Sequence, residues 1–341
     1  MESRAFVRAP MDEVEPRARQ MSLDANGGGV ELSVVVPAFN EEENIALLVD
    51  RVLAVLETMG VAHELIVVDD GSRDGTWRAI STAAAARPRV RGLRLSRNFG
   101  HQHALLAGLS AARGRALVTM DGDLQHPPEV LPHLFRRWRE GYRVVLAGRN
   151  DTTVATPFKR LTSRYFYRVF SALSGVAMSA GMSDFRLIDR AVRDELLSLR
   201  QSDVFLRGSV QWLGFETTTV PFQAAPRHAG ETKYPLRRML RFASGAIVSF
   251  SVKPLKLGIW LGLITGLGAL AELIFVVVQY LRGITVPGWA SVAGLMSLLF
   301  AVLFIVLGLI GTYLARIHEL LQNRPAFVIE QRTGHPEDGT L

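Results

Sequence analysis

The chain has 341 residues, enough for one α/β domain and a second part, since single domains usually run to about 100 to 200 residues. It contains no cysteine, which excludes disulfides, thiolate catalysis and cysteine-ligated zinc. The formal net charge is +7, but the basic residues gather beside apolar segments, which points to anionic lipid headgroups and phosphates rather than to nucleic acid.

The overall mix of 48% hydrophobic and 21% charged residues conceals a polar front and an apolar back. Residues 1–30 lack an apolar core and end in Asn26-Gly27-Gly28-Gly29, so they read as a flexible tail rather than a signal peptide. Residues 32–36 form a short β-branched run, 37–40 a loop, and 41–60 a helix with acids in its first turn, as the helix dipole prefers. A second strand over 65–68 leads into a turn at 69–76 and an alanine-rich helix. A third unit follows: a strand at 93–95, a loop at 96–100, a helix from about Gln102 to Ala112 and a strand at 116–120. Strand, loop and helix repeated in this way specify a mostly parallel sheet, with ligands beyond the carboxyl ends of its strands.

Residues 257–281 are apolar except for Glu272, and 289–315 carry no charge. Each run exceeds the roughly 20 helical residues that cross a hydrocarbon core. The link 282–288 holds Gly283, Pro287 and Gly288, so the pair reads as a transmembrane hairpin. Lys253 and Lys256 precede it and Arg316 and Arg324 follow it, against Arg282 in the link, which puts both ends and the catalytic domain on the cytoplasmic side of an inner membrane. Glu272, with Gly262, Gly266 and Gly268, would permit close packing against the partner helix or a second copy of the chain. Basic residues interleave with aromatic and aliphatic ones over 158–170 and again over 233–256, the pattern of helices lying in a membrane interface.

Asp121-Gly122-Asp123 follows a strand directly. Two carboxylates one residue apart at a strand end can share Mg²⁺ or Mn²⁺ and through it two phosphates, although the same triplet also serves as an acidic turn. Gln125 can add an oxygen ligand, whereas His126 reads as a loop histidine. In Asp69-Asp70-Gly71-Ser72-Arg73-Asp74-Gly75-Thr76 the glycines permit a tight turn, a carboxylate can accept from a base, and Asp74 or Thr76 can cap the next helix.

These stretches, together with Ser33-Val34-Val35-Val36-Pro37-Ala38-Phe39-Asn40-Glu41-Glu42, Arg97-Asn98-Phe99-Gly100, Asp121 to Pro127 and Ser183-Asp184-Phe185-Arg186, resemble the family 2 glycosyltransferases. They are most similar to the polyprenyl-phosphate type, the dolichyl-phosphate mannose synthases and their bacterial undecaprenyl-phosphate relatives. The resemblance implies a GT-A nucleotide-diphospho-sugar transferase fold over 31–232, mostly parallel and Rossmann-like, ending in the two-helix hairpin and a tail over 316–341. It implies that Pro37, Phe39, Asn40, Glu42, Asp69, Asp70, Gly71 and Asp121 bind the nucleotide. Asp121, Asp123 and Gln125 would hold the metal, and Asp184, Asp123 and Arg149 would be catalytic. Arg149, Arg227 and Lys233 would bind the lipid phosphate or the diphosphate, the last two in a loop of the Arg-x-x-Gly-x-Ser-Lys-Tyr type with Thr232 in place of serine.

Physically, a phosphate acceptor is already anionic, so Asp184 is expected to orient it and steady charge rather than remove a proton. Arg186 reads equally as its ion-pair partner and as a substrate contact. The implied reaction is inverting transfer of a sugar, nominally glucose from a UDP donor, to undecaprenyl phosphate. A processive polysaccharide synthase would need more spans and a Gln-x-x-Arg-Trp motif, which Val210-Gln211-Trp212 does not match. A catalytically inactive membrane adaptor is opposed by the intact Asp121, Asp123 and Asp184.

Overall fold

The computed structural model describes residues 29–149, 182–199, 205–223, 253–283, 288–322 and 324–333. Hydrophobic runs and turn residues alternate through the front half to give β1 (Leu32–Ala38), α1 (Glu42–Thr58), β2 (His63–Asp69), α2 (Thr76–Ala86), β3 (Val90–Leu95), α3 (His101–Ala111) and β4 (Ala116–Thr119). After a short 3-10 turn come α4 (Leu131–Arg139), β5 (Val144–Arg149), β6 (Met182–Asp189), α5 (Arg190–Ser198), α6 (Leu206–Trp212) and β7 (Thr217–Phe222). Two long helices, α7 (Lys253–Leu281) and α8 (Trp289–Leu321), precede a last strand, β8 (Ile329–Thr333).

The strands form one sheet in the order β7-β5-β6-β4-β1-β2-β3-β8. β3, β2, β1, β4, β5 and β7 run in one direction, while β6 and β8 oppose their neighbours. All residues of β1 and β2 are buried, as expected of strands covered by helices on both faces. Their period of two divides the core. Val34 and Val36 pack with Ile45, Leu48 and Val52 of α1, whereas Val35 packs with Ala104, Leu105 and Leu109 of α3. Each such buried aliphatic side chain contributes roughly 1.5–3 kcal/mol. The mostly parallel α/β sheet matches the expectation from the sequence.

β6 carries Asp184 and Arg186 in the middle of the sheet, with Arg186 opposite Thr119 of β4 and Leu146 of β5. A strand with two charges at alternate positions does not announce itself by hydropathy. At the far edge β8 pairs antiparallel with β3, from Gly92 opposite Thr333 to Leu95 opposite Ile329. Ser96 donates its amide to the Val328 carbonyl at 2.9 Å, and Phe327 and Ile329 pack on the α3 side of the core. The segment 316–341, read from sequence as a tail, therefore extends α8 to Leu321 and then supplies an edge strand.

Helices α7 and α8 lie against each other, with Gly258 facing Val306 and Leu309. Their apolar side chains are otherwise bare: Ile264 is 64% and Phe304 66% exposed. A soluble core helix would bury them. The segments Gly258–Gln279 and Gly294–Leu321 are long and apolar enough to cross a bilayer, which associates the chain with a membrane. Glu272 is half-buried. Most of the two basic-aromatic stretches, 158–170 and 233–252, falls outside the described residues; Lys253 to Lys256 belong to the first turn of α7.

Candidate active site

Beyond the carboxyl ends of β1, β2 and β4 lies a cavity of about 810 Å³. Pro37, Phe39 and Glu41 come from the β1 loop, Asp70 from the β2 turn, Asn98, Gly100, His101 and Gln102 from the β3 loop and the start of α3, and Asp121 to Asp123 from the end of β4. Asp184, Phe205 and Arg207 close the other side.

The turns that shape this cavity are tied to one another. Asn40, in the left-handed region with φ 55°, donates its backbone amide to Ser72 Oγ at 2.9 Å, and its carboxamide oxygen accepts from the Arg73 amide at 3.0 Å. Glu42 accepts from the Gly75 amide and from Arg78, each at 2.9 Å. Asp69, fully buried, accepts from the Ser72 amide at 2.9 Å. Gly71 has φ 66°, and a Cβ there would collide with the Arg97 backbone, so only glycine lets the β2 and β3 turns touch. Asn40, Glu42, Asp69 and Gly71 thus build the wall and do not line the cavity, unlike Pro37, Phe39 and Asp70. The reason is local: Asn40, Glu42 and one oxygen of Asp69 are committed to neighbouring turns, and Gly71 packs against the Arg97 backbone.

Asp70 faces the cavity but accepts from the Phe99 and Gly100 amides at 2.8 and 2.9 Å, and burial raises its carboxyl above the ordinary value in spite of those bonds. Asp121 is raised by burial too, with His126 and His101 working against the rise. Its Oδ1 has no hydrogen bond among the described residues and lies 3.3 Å from His101 Nε2. His126 is buried, accepts from the Asp121 amide at 2.9 Å and stacks on Phe185 at 4.9 Å between ring centroids. Its pKa is lowered by burial, so it supports the turn as a neutral loop histidine. Leu124, buried with φ 61°, adds strain directly after the two aspartates.

Asp184 is 2% exposed and crowded by donors. Arg186 Nη2 reaches its Oδ1 at 2.8 Å, Arg207 grips both oxygens at 3.0 and 2.6 Å, Gln102 Nε2 donates to Oδ2 at 3.0 Å, and His101 Nε2 stands 3.5 Å from the same oxygen. Burial alone would raise this carboxyl. The bonds from His101 and Arg207 and the charges of Arg186 and Arg207 outweigh it and hold Asp184 well below the usual carboxylate range. His101 is moved the other way: burial lowers it, but its bond to Asp184 and the charge of Asp121 raise it overall. Arg186 pairs with Asp184, the structural one of the two roles open to it from sequence.

Among the described residues no group of three or more histidine, aspartate or glutamate side chains is gathered as for a metal. Asp121 and Asp123 do reach the cavity, and an unbonded Asp121 oxygen together with an excess of carboxylates on the lining fits one cation shared with a ligand. Gln125 does not line the cavity: its amide is drawn to Asp123 Oδ1 at 3.1 Å, and its side-chain nitrogen is buried with no hydrogen bond among the described residues. Arg149 ends β5 on the same sheet edge, with its side chain outside the described residues, as are Arg227 and Lys233 entirely. Sequence reading missed His101, Gln102, Phe205 and Arg207. The first two adjoin the Arg97-Asn98-Phe99-Gly100 motif, which was a usable signal; Arg207 had none.

A cavity lined by carboxylates, with His101, Gln102 and Arg207 among them, beyond a mostly parallel sheet places the domain among α/β folds that bind ligands at that edge. The family model described as Glycosyl transferase family 2 matches residues 33–197. The chain is 38% identical over 306 residues to the uncharacterized glycosyltransferase YkcC of Bacillus subtilis, covering 89% of this chain and 95% of that one. It is 33% identical to the prophage bactoprenol glucosyl transferase homolog of Escherichia coli, covering 89% and 99%, and 34% identical to the bactoprenol glucosyl transferase of Shigella phage SfV, covering 88% and 98%. Among solved structures, glucosyl-3-phosphoglycerate synthase from Mycobacterium tuberculosis aligns at TM-score 0.45 and 21% identity over 72% of this chain and 85% of that one. The chain belongs to the family 2 glycosyltransferases.

Proposed function

We propose that this glycosyltransferase moves a sugar from a nucleotide-sugar donor, nominally UDP-glucose, to undecaprenyl phosphate, with inversion at the anomeric carbon. The observation that carries the reading is the pairing of an acidic cavity beyond the strand ends with two bare apolar helices in a single chain. Relatives named bactoprenol glucosyl transferases, matched over nearly their whole length, support the lipid acceptor.

Phe39 and Pro37 offer an apolar shelf for the base, and Asp70 stands ready for its polar edge. Asp121 and Asp123 would hold Mg²⁺ or Mn²⁺, which when bound supplies positive charge to a diphosphate leaving group. Arg207 presents a cation on the opposite wall, where an acceptor phosphate can approach. A phosphate monoester carries about −1.5 to −2 charge at pH 7, so the acceptor needs no base. Asp184, kept ionised and weakly basic by two arginines, holds Arg207 in place and offsets charge growing on the sugar. Arg149, Arg227 and Lys233 would complete the phosphate side.

Both ends of the hairpin belong with the sheet, because β7 precedes α7 and β8 follows α8. That connectivity supports two spans with the catalytic domain on one face, and the basic flanks favour the cytoplasmic face. Membranes containing the chain, given a panel of labelled nucleotide sugars and undecaprenyl phosphate, are expected to yield labelled lipid from one donor. Label appearing only in long polymer, or in no lipid with any donor, would refute the reading.

A further inference from the structure

Gln102 is the second residue of α3, and its carboxamide touches two other elements at once. Its Nε2 donates to Asp184 Oδ2 at 3.0 Å, and its Oε1 accepts from the Leu206 amide at 3.1 Å. Leu206 opens α6, and its amide has no partner within that helix, as the first turn of any helix dictates. Arg207, the next residue, returns to Asp184 through two bonds. The chain thereby closes a ring, Gln102 to Asp184 to Arg207 to Leu206 and back, from three segments far apart in sequence.

Only one orientation of the carboxamide satisfies both neighbours, because a carboxylate can only accept and a backbone amide can only donate. A flipped amide would set oxygen against oxygen and N–H against N–H. Charge alone does not fix Asp184 so narrowly, since arginine partners can slide along a carboxylate edge. Gln102 sets the angle at which the carboxylate meets Arg207.

We propose that Gln102 is a positioning residue for the transfer, fixing Asp184 and the start of α6 so that Arg207 meets the acceptor phosphate in one geometry. This rests on the catalytic reading of the site given above. Two variants of similar length separate its bonds. Gln102→Glu keeps an acceptor for Leu206 but sets a carboxylate beside Asp184, while Gln102→Met removes both bonds.

The test uses the full chain in membranes with the labelled donor that wild type accepts; a wild type inactive with every donor would sink the functional reading and not reach Gln102. Both variants are expected to lose about 10- to 100-fold in kcat, since small misplacements of reacting groups cost that much, with donor KM within about twofold. The groups facing position 102 and Asp184 are His101 from α3, Asp121 after β4, Arg186 from β6 and Arg207 from α6. Against that background, which both variants share with wild type, Gln102→Glu is expected to regain activity as pH falls, because its protonated carboxyl can donate to Asp184, while Gln102→Met keeps the wild-type profile. The proposal is overturned if both variants stay within about twofold of wild-type kcat. It is equally overturned if both lose activity in step with thermal stability and with the same pH profile, which would make Gln102 only structural.

Discussion

Replacing Asp184 by asparagine keeps the side-chain volume and removes the charge that two arginines share. Arg186 is 5% exposed and cannot turn to water, whereas Arg207 at 37% can. Stranding one member of a buried pair costs about 3–5 kcal/mol. For a domain of this size each kcal/mol moves the melting temperature by about 2–4 °C, so a fall of roughly 6–20 °C is expected. The loss depends on pH in a definite direction. The folded Asp184 carboxyl sits below its unfolded value of about 3.9, so its contribution is full above that pH and is lost as pH falls through the folded value. The gap between wild type and Asp184→Asn, followed by intrinsic fluorescence on heating in detergent, should therefore be constant near neutrality and close on strong acidification. Adding Arg186→Met should recover stability without recovering transfer. A melting temperature for Asp184→Asn within about 2 °C of wild type, or a gap that widens in acid, would refute the ion-pair account.

Asp123→Ala should abolish transfer while leaving the melting temperature nearly unchanged, since among the described residues its side chain makes one bond, to the Gln125 amide, worth about 1 kcal/mol; radiolabel transfer beside a melting curve checks both. A chelator should stop wild-type transfer, and added Mg²⁺ or Mn²⁺ should restore it, with product recovery as the measure. Gly71→Ala should raise donor KM and destabilise the fold by at least about 1 kcal/mol, because a Cβ would push the β2 and β3 turns apart; urea titration and steady-state kinetics read the two effects. Stopping the chain before Ile329 should bare the β3 edge, and size-exclusion chromatography in detergent should then show aggregation.

The strands β1, β2 and β4 were legible because apolar runs ended in turn residues, Pro37 to Asn40 after β1 and acidic glycine turns after β2 and β4. Their motifs located Pro37, Phe39, Asp70, Asp121 and Asp123 on one cavity. Asn40, Glu42, Asp69 and Gly71 stood in the same motifs yet support the wall, since a motif names a loop and not the direction of each side chain. Asp184 was found by resemblance, but its strand was not, because Asp184 and Arg186 break the apolar run and are satisfied only by each other and by the helices that pack on β6. Arg207 gains its role from tertiary contact with Asp184 alone, and Gln102, although it adjoins a legible motif, gains its own from partners about 80 to 100 positions away. β8 was hidden for a related reason: Glu330, Gln331 and Arg332 are exposed and polar, and only pairing with β3 makes them a strand.

The position of β8 also orders events during synthesis. The ribosome delivers both apolar helices before it delivers the strand that finishes the soluble sheet. Until then β3 stays an open margin able to pair wrongly with a neighbour. Completion of the α/β domain is consequently chained to delivery of the two apolar helices, and a nascent polypeptide stalled at that step would carry an unsealed sheet.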